Sequence, residues 1–301
     1  MLPREYARPA LIRGLEYENQ LGTNPFKFGM VGSTDNHTAL PTTREDNWFG
    51  KAHIVEPSEH RYEDVLIEAQ TDPSLNILAT DLSAAGLAGV WAIENTREAL
   101  FDAMLRKEVF ATTGSRIRVR VFGGWDFEAK EVLLPDFAEQ GYGRGVPMGA
   151  DLRPAPEAAD APSFLVRALR DPDGANLDRI QIVKGWVDAS GEQREKIWDI
   201  ACADDRQIVD GSCDGDVGNT VNVVEASYKN DIGDAVLAAH WVDPEFDASQ
   251  RAMYYARVLE IPKPRWTAYD AKFFGIEMPE GTEMEVIDRA YTSPIWYDPE
   301  N

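Results

Sequence analysis

Asp35 and His37 stand two residues apart in the hexapeptide Gly32-Ser33-Thr34-Asp35-Asn36-His37. At that spacing a carboxylate and an imidazole can reach one cation, because residues i and i+2 of an extended chain point to the same side. Carboxylate oxygen with imidazole nitrogen suits Zn, Mn or Fe better than Ca or Mg. The same tripeptide also fits a turn that caps a strand end. Just downstream, Arg44 offers the fork geometry of a bidentate phosphate contact, and Arg44 and Glu45 follow the pair closely enough to line the same cleft. A surface ion pair between those two is the plainer alternative. His53 and His60 could complete a mononuclear site, although histidines in a loop without fixed ligand spacing are more often simply exposed. His240, beside Trp241, reads as a packed strand residue, and Arg265, between Pro264 and Trp266, as a stacked structural arginine. Phosphate loops, dinucleotide fingerprints, Gly-x-Ser-x-Gly and His-Glu-x-x-His do not occur.

Phe26 to Val31 reads as a short buried strand running straight into the polar hexapeptide, which is where α/β enzymes place their sites. Ahead of it, Arg4 to Leu21 carries apolar residues at Tyr6, Ala10, Leu11, Leu15 and Tyr17, close to a helical period, and Gly22 stops it. Thr38 to Leu82, broken by prolines, predicts a long loop or lid with at most short helices. Gly86 to Ile93 is small and apolar, an element packed closely against its neighbours. Asn95 followed by Glu98 is a capping-box start for a helix whose apolar stripe is Leu100, Phe101, Met104 and Leu105, with Lys107 in the last turn.

The texture changes after Gly114. Arg116 to Phe122, Phe164 to Leu169, Ile180 to Val183, Ile197 to Ala201, Val221 to Tyr228, Met253 to Ile261 and Arg289 to Trp296 have the alternation or apolar runs of strands, with turn signals between them. Residues from about 116 onward therefore predict an antiparallel β-domain, with most of the eight tryptophans in its core and a surface excursion over Pro154 to Pro162.

A formal net charge of -22 repels phosphate backbones and anionic lipid surfaces, which argues against nucleic-acid and membrane partners. No apolar run reaches the ~18 residues that span a bilayer, so the chain is expected to be soluble. The two cysteines, Cys202 and Cys213, permit one bridge in an oxidising compartment and two free thiols otherwise.

Further residues flank the hexapeptide pattern: Phe26 to His37, Thr42-Thr43-Arg44-Glu45, Thr96 to Met104, Val109 to Gly114, Ile182 to Trp186, Pro262 to Asp270 and Arg289 to Trp296. Together they resemble the C-terminal part of the PHP (polymerase and histidinol phosphatase) superfamily, and more narrowly an uncharacterised bacterial family within it whose members are about twice this length. That resemblance implies an α+β chain. Residues 1–115 would form the C-terminal fragment of a distorted PHP-type (βα) barrel, and residues 116–301 an antiparallel β-sandwich-like domain. It further implies a metal-dependent phosphoesterase in the intact parent, acting on a small, phosphorylated substrate, with Asp35 and His37 as its last metal motif. The earlier His-x-His motif is not in this sequence, so the expectation is a truncated piece that binds Zn, Mn or Fe weakly and catalyses little alone. Exposed edges of a half-barrel would favour pairing of two copies, and family members carry export signals that leave the compartment open. The competing expectation is a non-catalytic binding or structural module with an acidic β-domain.

Overall fold

The computed structural model describes residues 6–84, 86–156 and 160–300. Two antiparallel sheets face each other. The larger is seven-stranded and is built from β1 (Leu87–Val90), β2 (Val109–Thr112), β6 (Leu177–Val187), β7 (Gln193–Cys202), β9 (Ala252–Glu260), β10 (Arg289–Thr292) and β11 (Ile295–Tyr297). Its order is β1-β2-β10-β9-β6-β7, with β11 pairing a further stretch of β9. The smaller, four-stranded sheet has the order β8-β5-β3-β4, from β3 (Arg118–Gly124), β4 (Val146–Pro147), β5 (Ser163–Leu169) and β8 (Val236–Val242).

Side-chain alternation explains the layering. On β9, Ala252, Tyr254, Ala256 and Val258 face the smaller sheet, where they meet Val119, Val121, Phe164, Val166 and Leu237 in one core. The intervening Met253 and Tyr255 face outward with Val183 and Val187, and helix α1 (Ala7–Leu21) covers them through Leu11, Ile12 and Leu15. Burying each of those three side chains stabilises the helix contact by about 1.5–3 kcal/mol. Coverage on both faces is why β6 and β9 are almost continuously buried rather than alternating between buried and exposed positions. The outer face of the smaller sheet, Phe122 and Leu165, is closed by α3 (Phe137–Arg144) and the segment before it, through Phe127, Val132 and Phe137. α1 ends where Gly22 takes a left-handed φ of 72° and donates its N–H to Glu18 O at 2.9 Å.

The fold corrects the expected (βα) barrel fragment. Every pairing between named strands is antiparallel, and neither sheet closes on itself. Phe26 to Val31 is not a buried strand: the segment has no ladder, Val31 is exposed, and the backbone is held by side chains, with Met30 N–H donating to Ser293 Oγ at 2.9 Å and Lys107 Nζ to Lys27 O at 3.2 Å. Gly86 to Ile93 and Val109 to Gly114 supply β1 and β2, an antiparallel pair with a helix between them, and the second strand pairs with β10. The larger sheet thus runs across the expected division at residues 115 and 116. Val221 to Tyr228 forms turns with one bridge, Asn222 to Ser227, and leaves Val224 exposed.

The helix expected after Asn95 is α2 (Arg97–Leu105), capped one residue later by Thr96, whose Oγ1 accepts from Ala99 N–H at 3.3 Å. Its buried residues are Ala99 and Ala103, and Phe101, Met104 and Leu105 of the expected stripe lie open to solvent. Cys202 at the end of β7 is bridged to Cys213. The start of the expected first helix at Arg4 and part of the Pro154 to Pro162 excursion lie outside the described residues. Among the described residues no helix is long and apolar enough to cross a membrane.

The long segment after residue 38 is a chain of short 3-10 turns with one small ribbon, Val65–Ile67 with Ile77–Leu78. It docks on α4 (Trp266–Phe274) through Trp48, Val55, Ala79 and Ala84 packed on Trp266. Arg61 is its anchor, stacked between the rings of Trp48 (4.9 Å) and Trp266 (4.3 Å) and bonded to both Asp270 carboxylate oxygens at 2.6 and 2.7 Å. Arg265 has the structural role expected of it, donating to the carbonyls of Thr80 and Leu82.

Candidate functional site

The Gly32 to His37 segment leans on the β1–β2 pair: Gly86 N–H donates to Ser33 O at 3.0 Å, and a Cβ on Gly32 would lie 2.4 Å from Leu87 O and 2.7 Å from Thr112 O. Only glycine allows that approach. Asp35 then turns left-handed at φ 45°, a conformation Asp tolerates better than most residues. From the other side the loop is pinned by His37 N–H to Lys51 O at 2.7 Å and Asn36 Nδ2 to Gly50 O at 2.9 Å. With the backbone held, the Asp35 and His37 side chains converge, His37 Nε2 to Asp35 Oδ1 at 3.3 Å, and remain 64% and 62% exposed. The second carboxylate oxygen is taken by the Lys51 ammonium. Hydrogen bonding from Lys51, and then from His37, holds the Asp35 carboxyl below its ordinary range.

A carboxylate with an imidazole is the donor chemistry that suits a divalent transition metal. Among the described residues no group of three or more His, Cys, Asp or Glu side chains is arranged to hold a metal ion. His53 is exposed at the head of a 3-10 turn, and His60 is exposed beside Glu59. His240 is a β8 residue paired with Leu165.

Arg44 and Glu45 part company. Arg44 pairs with Asp46 rather than Glu45, with Nε and Nη2 donating to its two oxygens at 2.9 and 2.5 Å. Glu45 is buried, accepting from Trp266 N–H at 2.7 Å and Ala84 N–H at 3.2 Å, so it ties the long segment to the start of α4. Burial raises its carboxyl above the ordinary value.

Both residues do line a cavity of about 190 Å³, but Asp35 and His37 do not. Its other walls include Asp46, Ser115, Tyr228, Lys263 and Tyr269. Beneath it lies a buried charge cluster. Lys263 Nζ donates to Glu260 Oε2 at 3.1 Å and Asp288 Oδ2 at 2.7 Å, Ser115 Oγ donates to Glu260, and Thr113 Oγ1 donates to Asp288 at 2.6 Å. Burial lifts the Glu260 carboxyl to about 7, with Lys263 opposing and Asp288 adding to the shift. Sequence reasoning missed Lys51, Tyr228, Lys263 and Tyr269. The signal available was that Val109 to Gly114 and Pro262 to Asp270 stood out as patterned segments, and both end on this cavity.

No curated protein and no solved structure matches the chain. A family model matches residues 1–299, nearly its whole length, and the chain belongs to that family, described as a protein of unknown function (DUF3604).

Proposed function

We propose that Asp35 and His37 are two ligands of a divalent-metal centre in a hydrolase, the remaining ligands coming from beyond the described residues. The reading rests on one observation: in a loop whose backbone is pinned from both sides, a carboxylate and an imidazole meet at 3.3 Å on side chains that are both more than half exposed. A bound Zn, Mn or Fe ion would lower the pKa of a coordinated water and neutralise charge on a phosphoryl or acyl oxygen. This chain's residues would orient the ligands: Gly32 sets the approach, Lys51 O fixes the His37 backbone, and the Lys51 ammonium keeps Asp35 ionised until a cation replaces it. The resemblance to the PHP superfamily over residues 26–45 supports a phosphoester as substrate. The antiparallel fold lends that no support, because sites rather than folds carry chemistry.

Equilibrium dialysis of the purified chain against Zn²⁺ and Mn²⁺ tests the proposal. Weak binding of one ion, abolished by Asp35→Ala and by His37→Ala, is the expected result. Binding untouched by both substitutions would refute it. The Lys51 ion pair favours a second reading, a non-catalytic module in which the turn is complete as it stands, and the absence of any metal uptake would select it.

A further inference from the structure

The cavity under Arg44 carries an inference independent of the metal. The charged groups in its walls are already engaged: Arg44 with Asp46, Lys263 with Glu260 and Asp288, Asp171 and Asp173 with the neighbouring Arg116, and Glu45 with the backbone N–H groups of Trp266 and Ala84. What is left without a partner is neutral. The hydroxyls of Thr43, Tyr228 and Tyr269 make no hydrogen bond among the described residues, although all three side chains are half-buried in the wall. The two phenols sit close enough to feel the same charges, Asp46 and Lys263, and burial raises both, Tyr269 to about 12. None of the three is cut off from water, so each is free to exchange a solvent hydrogen bond for one to a molecule entering the cavity.

An anion or a cation entering here would have to break an ion pair or face the opposing member of one. A neutral polyol would not. Its hydroxyls can donate to the remaining carboxylate lone pairs, accept from the outward N–H groups of Lys263 and Arg44, and exchange bonds with the three free hydroxyls. The volume, about 190 Å³, holds roughly six waters at ~30 Å³ each, and a hexose carries a comparable number of oxygens to replace them. Beyond Tyr269, an adjoining cleft of about 510 Å³ shares Glu45, Asp46 and Tyr269 and is walled by Phe49, Phe273 and Phe274, which offers apolar surface to the C–H face of a neighbouring unit. We propose that this cavity binds a neutral sugar ring, one unit of a carbohydrate.

Isothermal titration of the whole chain with glucose, galactose, mannose and myo-inositol, alongside inorganic phosphate and putrescine, tests it. At least one of the four polyols is expected to bind saturably. The double variant Tyr228→Phe/Tyr269→Phe removes only the two free hydroxyls, and it should weaken that binding by about tenfold while leaving the melting temperature in place. Thr43→Val gives a third, independent reading of the same wall. The proposal is overturned if no polyol binds, if phosphate or putrescine binds in preference, or if polyol binding survives the double variant undiminished.

Discussion

Arg61→Met is the most informative single perturbation of this fold. Arg61 is 2% exposed, and its guanidinium makes two charge-assisted bonds to Asp270 (2.6 and 2.7 Å) and a third to Trp48 O at 3.0 Å between two indole rings. Methionine keeps much of the packing and removes the charge, which leaves Asp270 buried with no counter-ion. Breaking a buried pair from one side costs about 3–5 kcal/mol. At about 2 °C per kcal/mol for a chain of this length, the melting temperature should fall by roughly 6–10 °C. Burial already raises the Asp270 carboxyl, with Arg61 working against that rise. Without Arg61 the carboxyl takes up a proton more readily, so the loss should be smaller at pH 5 than at pH 8. The double variant Arg61→Met/Asp270→Leu should recover most of the stability, since apolar replacement of a whole buried pair is close to neutral. Denaturant titrations of parent, single and double variants at both pH values decide the matter. A single-variant loss below about 1 kcal/mol, or a double variant as weak as the single, would refute the reasoning.

Other expectations are more compact. Glu260 has its folded value raised to about 7, so its stabilising contribution is complete below pH 4.5 and is lost as pH rises through 7. Glu260→Gln should flatten the stability profile across that window, measured by thermal melts from pH 4.5 to 8. Replacing Cys202 and Cys213 by serine opens a loop with a sequence separation of 11, which costs about 3 kcal/mol by chain entropy and should appear in the parent on adding reductant. Gly32→Ala would drive its new methyl into Leu87 O and Thr112 O, so a cost of about 1–3 kcal/mol and loss of any metal uptake are expected from melts and dialysis. Lys51→Met frees the second Asp35 oxygen and should tighten Zn²⁺ binding roughly threefold, the scale of an exposed ion pair; an unchanged or weaker affinity would remove Lys51 from the site.

Local signals in the sequence were faithful where one neighbour decides the outcome. Gly22 ends α1 because it alone accepts the left-handed turn, and the alternation of Arg116 to Phe122 survives as β3 because one face of that strand is deep in the sandwich. Phe26 to Val31 misled because an apolar run records burial and not its partner: here Ser293 and Lys107 side chains, rather than a ladder, hold the segment. α4 was invisible because Trp266 and its neighbours have no side-chain cap, and its start is set by Glu45, 221 residues away. The Asp35 and His37 pairing was legible from spacing, although the geometry that achieves it is a left-handed turn and not an extended strand. The cavity was legible at one wall only: Arg44 and Glu45 line a cleft as expected, but without Asp35 and His37. Its other walls come from residues 114–115, 171, 173–174, 228, 263–264 and 269, which lie far apart in the chain and meet only through the sheets, α4 and the docked long segment together.

The bridge between Cys202 and Cys213 also bears on how this molecule avoids its own kind. β7 is the outermost strand of the larger sheet, and the bridged segment folds back along it, with Asp199 N–H donating to Gly211 O and Asp199 Oδ2 accepting from Cys213 N–H, both at 2.8 Å. Asp204, Asp205, Asp210, Asp214 and Asp216 crowd the same stretch. A covalently clamped, strongly acidic flap thus lies where a foreign strand would otherwise zip on, so an oxidant that closes the bridge works as a guardian of solubility as much as of folding.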